Sequence, residues 1–77
     1  MKLQEAKDFI TAICNEHPNE FISFKSNEFE GCNIVTAIKY DGNSYLIRTN
    51  CGDISPFDIN SEDSITIANN IKKWFVQ

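Results

Sequence analysis

Apolar residues at spacings of three and four open the chain and predict an amphipathic helix. They share one helical face, which holds Leu3, Ala6, Ile10, Ile13 and His17. Pro18 lacks a backbone donor and disfavours helical conformation in the residue before it. We therefore predict a first helix over residues 2–16.

Three short segments rich in β-branched and aromatic residues predict strands over 20–25, 32–40 and 45–51. The first, EFISFK, is predicted to lie at a sheet edge, and SNEFEG after it reads as a polar turn. In the second segment, alternation places four residues on one face, with Val35 and Ala37 opposite. Those four are Ile34, Thr36, Ile38 and Tyr40.

Asp41-Gly42 between the second and third segments is a strong signal for a two-residue hairpin turn. This turn pairs Ile38 with Tyr45 and places Cys32 opposite Cys51. A turn at Gly42-Asn43 instead shifts the pairing by two residues and keeps the same faces. Cross-strand thiols in such a position are typically small buried hydrophobes rather than a disulfide.

The last segment predicts a second helix, capped by Asn60 or Ser61. Its apolar stripe consists of Ile67, Ala68, Ile71, Trp74 and Phe75. Acids at its start and bases at its end complement the helix dipole. The predicted fold is a single α+β domain over residues 1–77. Its element order is α-β-β-β-α, a three-stranded antiparallel sheet with both helices packed on one face.

The charge balance is seven Lys and Arg against eleven Asp and Glu, a net charge of −4. Such a surface disfavours direct binding to nucleic acid or to anionic membranes and favours a basic protein as partner. Three cysteines fit neither a disulfide framework nor a zinc pattern. The charged first residues and the lack of a long apolar run indicate a cytoplasmic protein.

Catalytic chemistry has little support in this sequence. The single histidine, His17, lies in register with the apolar face of the first helix, which favours a packed or capping role. Cys51 would need a neighbouring base to act as a nucleophile. The acids miss the calcium-loop spacing, and there is no phosphate-binding glycine-rich loop. We predict no enzyme, metal or cofactor; an enzyme using Cys51 or His17 is a third-ranked alternative.

The segment DISPFDINSEDS, residues 53–64, is acidic, and no Lys or Arg occurs between Arg48 and Lys72. The helix dipole accounts for acids in the first helical turn, but two others fall in the predicted loop before it. Two aromatic residues, Phe57 and Phe29, stand among acids and either anchor a partner or close the core. The candidate partner-binding residues are Asp53, Asp58, Glu62, Asp63, Glu28, Glu30, Phe57 and Phe29.

The α-β-β-β-α order resembles the double-stranded-RNA-binding domain, in which the start of the second helix and the loop between the first strands bind RNA. Here those positions read NSEDS and SNEFEG, which are acidic where that family is basic. The order of helices and strands therefore matches that family, but the residues at its RNA-binding positions carry the opposite charge.

The segment IVTAIKYDGNSYLIRTN followed by an acidic helix start is similar to small phage-encoded anti-CRISPR inhibitors, over residues 34–75. This resemblance implies carboxylates that stand in for DNA phosphates in the basic groove of a nuclease. We therefore predict a non-enzymatic inhibitor of a nucleic-acid-handling protein. The alternative is an interaction or homodimerisation module that pairs through an exposed sheet edge.

Overall fold

A computed structural model of the protein describes residues 1–25 and 34–75. Its elements are α1 (Leu3–Glu16), β1 (Ile22–Ser23), β2 (Val35–Tyr40), β3 (Tyr45–Thr49), β4 (Gly52–Phe57) and α2 (Asp63–Trp74). The α+β class with two helices and an antiparallel sheet is confirmed. The prediction of three strands is wrong, because the described residues form a sheet of four strands, in the order β1-β2-β3-β4.

Helix α1 matches its prediction to within one residue. At its start the Lys2 backbone N–H donates to the Glu5 carboxylate at 3.5 Å. At its end His17 is the capping residue, and its N–H donates to the Cys14 carbonyl at 3.2 Å. Pro18 follows, so the chain leaves the helix where the sequence indicated.

The β2–β3 hairpin adopts the second of the two predicted registers. Tyr40 pairs with Tyr45 and Ile38 with Ile47, so Gly42 and Asn43 form the turn and the Ile38–Tyr45 pairing is wrong. The Asp41 carboxylate accepts the Asn43 and Ser44 N–H groups, both at 2.9 Å, and Gly42 has φ +95°. These bonds give the backbone N–H groups of the turn their acceptors and so favour the register in which Gly42 and Asn43 form the turn.

A β-bulge near the start of β2 changes which residues face the core. The pairing shifts between Val35 and Ala37, and Val35 is buried in the core. The extra residue of a bulge reverses the alternation of side chains. The predicted core face therefore holds for Ile38, which is buried, and for Tyr40, which is half-buried and packs against the core. Ile34 and Thr36 are half-buried and do not belong to the core cluster.

Strand β4 occupies a segment that the sequence analysis assigned to a loop. It begins after a two-residue turn, where the Thr49 hydroxyl donates to the Gly52 carbonyl at 2.6 Å and Gly52 has φ +123°. Along β4, Asp53 pairs with Arg48, and Phe57 pairs with Tyr45. The pairing is irregular between these points, where Pro56 follows Ser55 in a cis peptide.

The core is one cluster of buried side chains to which both helices and all four strands contribute. It holds Ala6, Ile10, Cys14, Ile22, Phe24, Val35, Ile38, Ile47, Phe57, Ile67, Ala68 and Ile71. Burial of this apolar surface is the main force that holds the sheet and the helices together. No helix in the described ranges is long and apolar enough to cross a bilayer.

Asn70 on α2 has a side-chain amide that is buried without hydrogen bonds from the described residues. Its side chain is fully buried, and neither its Nδ2 nor its Oδ1 has a hydrogen-bond partner in the part of the chain that the structure describes. By contrast Ser64, also buried, donates its hydroxyl to the Ile59 carbonyl at 2.6 Å. An unpaired buried amide destabilises a folded protein because it has lost its hydrogen bonds to water.

We expect Asn70→Leu to raise the free energy of unfolding by about 1–2 kcal/mol, because leucine has the same branched skeleton and no polar atoms to desolvate. Urea denaturation followed by circular dichroism measures this change. Asn69→Leu, at the adjacent half-buried position, is the matched control and should have a smaller effect. Destabilisation by Asn70→Leu would show that the site requires the amide.

Candidate functional site

The strand register brings acidic residues from two distant parts of the sequence to one end of the sheet. Tyr45, the first residue of β3, pairs with Tyr40 on one side and Phe57 on the other. Asp41 and Asp58 directly follow these two partners. Because β2 and β4 are separated by two strand spacings, the backbones of Tyr40 and Phe57 lie about 10 Å apart, and the two aspartates leave the sheet at the same end.

The turn between β4 and α2 is held by its own hydrogen bonds. The Asp58 carboxylate accepts the Asn60 N–H, and the Asp58 carbonyl accepts the Ser61 N–H, both at 2.9 Å. The Ser61 hydroxyl then accepts the Asp63 N–H at 3.2 Å. Asp58, Glu62 and Asp63 are therefore presented on an ordered turn, and all three are exposed.

We name Asp41, Asp58, Glu62 and Asp63 together the acidic end. Within residues 1–25 and 34–75, no Lys or Arg nitrogen lies within 4.0 Å of any of these four carboxylates. Asp63 also stands in the first turn of α2, where the helix dipole favours a negative charge. The carboxylates of the acidic end are thus free to meet a positively charged partner.

Asp53 does not belong to the acidic end, although the sequence analysis grouped it with Asp58. It lies at the opposite end of β4, about 16 Å from Asp58 at the usual rise of a strand. Its carboxylate accepts from Nε of Arg48 at 3.2 Å, and the Arg48 guanidinium stacks 4.1 Å from the centre of the Phe21 ring. Asp53 is therefore neutralised on the sheet and is a weak candidate for partner binding.

The aromatic candidates divide between the core and the undescribed segment. Phe57 is only 9% exposed and packs in the core, so it closes the core rather than anchoring a partner. Glu28, Phe29 and Glu30 lie outside the described residues, as does Cys32, whose proximity to Cys51 stays untested. Asp41 was missed, although the Asp-Gly-Asn sequence at the turn was a signal for its position.

Of the potential catalytic groups, His17 packs against a neighbouring ring and Cys14 is buried, whereas Cys51 is exposed. The His17 ring packs edge-on against Phe75, with 5.5 Å between ring centres, and its Nδ1 lies 3.5 Å from the Glu20 carboxylate. Burial raises the pKa of the Cys14 thiol to about 11, which keeps it protonated at neutral pH. The described residues contain no group of three or more His, Cys, Asp or Glu that could hold a metal ion.

Comparison with known proteins gives no relative: no protein-family profile, no curated protein and no solved structure matches this chain. Function must therefore be argued from the geometry of the chain itself.

The hydrogen bonds from Ser44 and Asn43 lower the pKa of the Asp41 carboxyl below its usual 3.8. A carboxyl whose pKa is lower in the folded state stabilises the fold above the unfolded-state pKa, and this contribution is lost as pH falls through the folded-state pKa. Asparagine keeps the acceptor without the charge. We therefore expect wild type to be more stable than Asp41→Asn near neutral pH.

This difference in the free energy of unfolding should shrink as pH falls below 3.8. Urea denaturation of both proteins at several pH values between about 6 and about 2.5 measures it. A difference that stays constant over this range would show that the Asp41 charge does not stabilise the turn.

Proposed function

We propose that the protein is a non-enzymatic inhibitor that binds a basic surface of a nucleic-acid-handling protein through the acidic end. An RNA-guided nuclease of a CRISPR system is the leading candidate, which would make this a phage protein acting in the host cytoplasm. The observation that carries the proposal is the presentation of four exposed carboxylates, unpaired with described Lys or Arg residues, on two ordered turns.

Pre-ordered carboxylates suit the role of a phosphate mimic. Asp41 and Asp58 each accept a backbone N–H at 2.9 Å two residues ahead, so their charges are fixed before a partner arrives. Ordering the side chains in advance lowers the entropic cost of binding. Long-range attraction between opposite charges raises the association rate, and added salt should weaken it.

The proposal includes the prediction that both helices cover one face of the sheet. It is supported by the single buried cluster to which α1, α2 and the core-facing residues of the strands contribute. In this arrangement the carboxyl end of α1 borders the hairpin turn that carries Asp41, and Asp41 itself is exposed. The turn that carries Asp58 would then meet a partner together with this hairpin.

A charge-neutral variant of the α2 turn tests this proposal. We expect the triple variant Asp58→Asn, Glu62→Gln and Asp63→Asn to bind its partner about tenfold more weakly, since three exposed ion pairs together contribute about 1.5 kcal/mol. Asparagine at 58 keeps the acceptor for the Asn60 N–H. Binding and DNA cleavage are measured with a panel of purified RNA-guided nucleases, with and without target DNA.

The matched control is a second triple variant that removes three acids elsewhere: Glu5→Gln, Asp8→Asn and Asp53→Asn. This control changes the net charge by the same amount as the first variant. It should retain affinity for the partner to within about twofold, because substitutions far from the interface do not couple to contacts made there. Target DNA should compete with wild type. Equal loss of affinity in both triple variants would assign the effect to net charge and overturn the proposed site.

A second candidate function is homodimerisation through the outer edge of β4. Five of the six residues of this edge strand are exposed, and Ile54 is 48% exposed. Exposed strand edges readily pair with a second chain. The edge strand predicted from the sequence, β1, pairs over only two residues and offers less backbone for such an interface.

If the chain dimerises through β4, Ile54→Lys should weaken the dimer by about tenfold. The substitution would replace an apolar side chain of the interface with a charge and place like charges on the two paired strands. Sedimentation equilibrium over a range of protein concentrations measures the association. The triple variant of the α2 turn should leave this association unchanged. A wild-type protein that stays monomeric at the highest concentration would exclude this function.

A further inference from the structure

Two cationic side chains share one aromatic ring on the face of the sheet that points away from the core. Ile38 and Ile47 belong to the core cluster, and adjacent strand residues point to opposite faces, so Lys39 and Arg48 lie on the outer face. The Lys39 ammonium is 4.8 Å and the Arg48 guanidinium carbon 4.1 Å from the centre of the Phe21 ring. We name Phe21, Lys39 and Arg48 together the cationic cluster.

The strand register explains how Arg48 reaches this ring. Arg48 in β3 pairs with Ala37 in β2, and Ser23 in β1 pairs with the same alanine. The small Ala37 side chain leaves room for the long Arg48 side chain to cross β2 toward Phe21. The position of the cationic cluster thus follows from the pairing of three strands.

The Arg48 guanidinium is oriented by two contacts that leave its outer edge free. Its Nε donates to the Asp53 carboxylate at 3.2 Å, and the group lies over the Phe21 ring. Within residues 1–25 and 34–75, its two terminal nitrogens donate no hydrogen bond. The Arg48 side chain is 51% exposed, so this forked edge can be reached from solvent. A guanidinium oriented in this way is suited to bind an oxyanion through parallel hydrogen bonds.

The cationic cluster has a local excess of positive charge. In the described parts of the chain, Asp53 is the only carboxylate within 4.0 Å of either cation. Asp41, two residues after Lys39, is engaged by hydrogen bonds of its own turn, and these lower its pKa more than the charge of Lys39 does. Two cations beside one carboxylate leave this face positive, although the whole chain has a net charge of −4.

We propose that the cationic cluster binds the phosphate groups of single-stranded nucleic acid. A phosphate presents several oxygens in a tetrahedral arrangement, so it can accept hydrogen bonds from a guanidinium and an ammonium at the same time. Successive phosphates of one strand follow at a short spacing, so Lys39 and Arg48 can also contact two of them. A phosphopeptide with one modified residue offers only a single phosphate.

The outer face also offers apolar contact beside the two cations. Leu46, the β3 partner of Lys39, is half-buried and lies on the same face. The bases of a single strand are free to turn toward such a surface, whereas those of a duplex are stacked inside it. This inference goes beyond the proposed function and does not depend on it, because the cationic cluster and the acidic end share no residue.

The test is an NMR titration of the ¹⁵N-labelled protein with a short oligouridylate at low salt. We expect saturable shifts of the amide signals of Phe21, Lys39 and Arg48, and an affinity that falls as salt is added. Inorganic phosphate alone should bind at least about tenfold more weakly, because it lacks the neighbouring phosphates and the bases.

Lys39→Gln should weaken oligouridylate binding about threefold, and Arg48→Gln about fivefold, since arginine supplies both a charge and paired donors. Lys72→Gln is the matched control, because the Lys72 ammonium also lies over a phenylalanine ring, 5.2 Å from the centre of Phe9. It changes the net charge equally and should alter the affinity less than about 1.5-fold. Lys39→Gln breaks no ion pair among the described residues, so it stays informative if Arg48→Gln destabilises the sheet.

Equal weakening by Lys39→Gln and Lys72→Gln would overturn the site and assign the effect to net charge. Inorganic phosphate that binds as tightly as the strand would show an adventitious ion only. A phosphoserine peptide that binds as tightly as the oligouridylate would exclude nucleic acid as the specific ligand. Each of these outcomes leaves the loss of partner affinity in the α2-turn variant unaffected, so this inference and the proposed function fail separately.

Discussion

The pairing of Tyr45 with Tyr40 on one side and with Phe57 on the other is the constraint on which the arrangement of the protein depends. It sets where β2 ends and where β4 ends, and therefore where Asp41 and Asp58 emerge from the sheet. A slip of two residues in either pairing would keep the apolar side chains on the core face. It would also move one aspartate along the strand, so the acidic end depends on register as well as on composition.

Local polar contacts make this register specific. Asp41 binds two N–H groups of the β2–β3 turn, and Asp58 binds the turn that leads into α2. Each carboxylate thus accepts hydrogen bonds from the backbone of the same exposed turn on which its charge is presented. Structure and proposed function therefore draw on the same side chains. An asparagine at either position keeps the hydrogen-bond acceptor and removes only the charge.

Helix α1, helix α2 and the two central strands could be predicted from the sequence because each carries a clear apolar period. Strand β4 could not: its exposed edge position left Asp53, Ser55 and Pro56 without an apolar alternation, and only Phe57 reaches the core. The bulge after Val35 has no local signal either. Asp58 was a candidate from the sequence alone, but placing Asp41 at the same end of the sheet required the register, and the separation of Asp53 required knowledge of β4.

Helix α2 carries Glu62 and Asp63 at its first residues and Lys72 and Lys73 near its last. These groups stand about 15 Å apart along the helix at the usual rise per residue. Such a separation gives the molecule a lengthwise electrical asymmetry, in addition to its net charge. In the field of a cationic surface this asymmetry produces a torque that turns the acidic start of α2 toward that surface before contact, which would shorten the search over orientations in the proposed association.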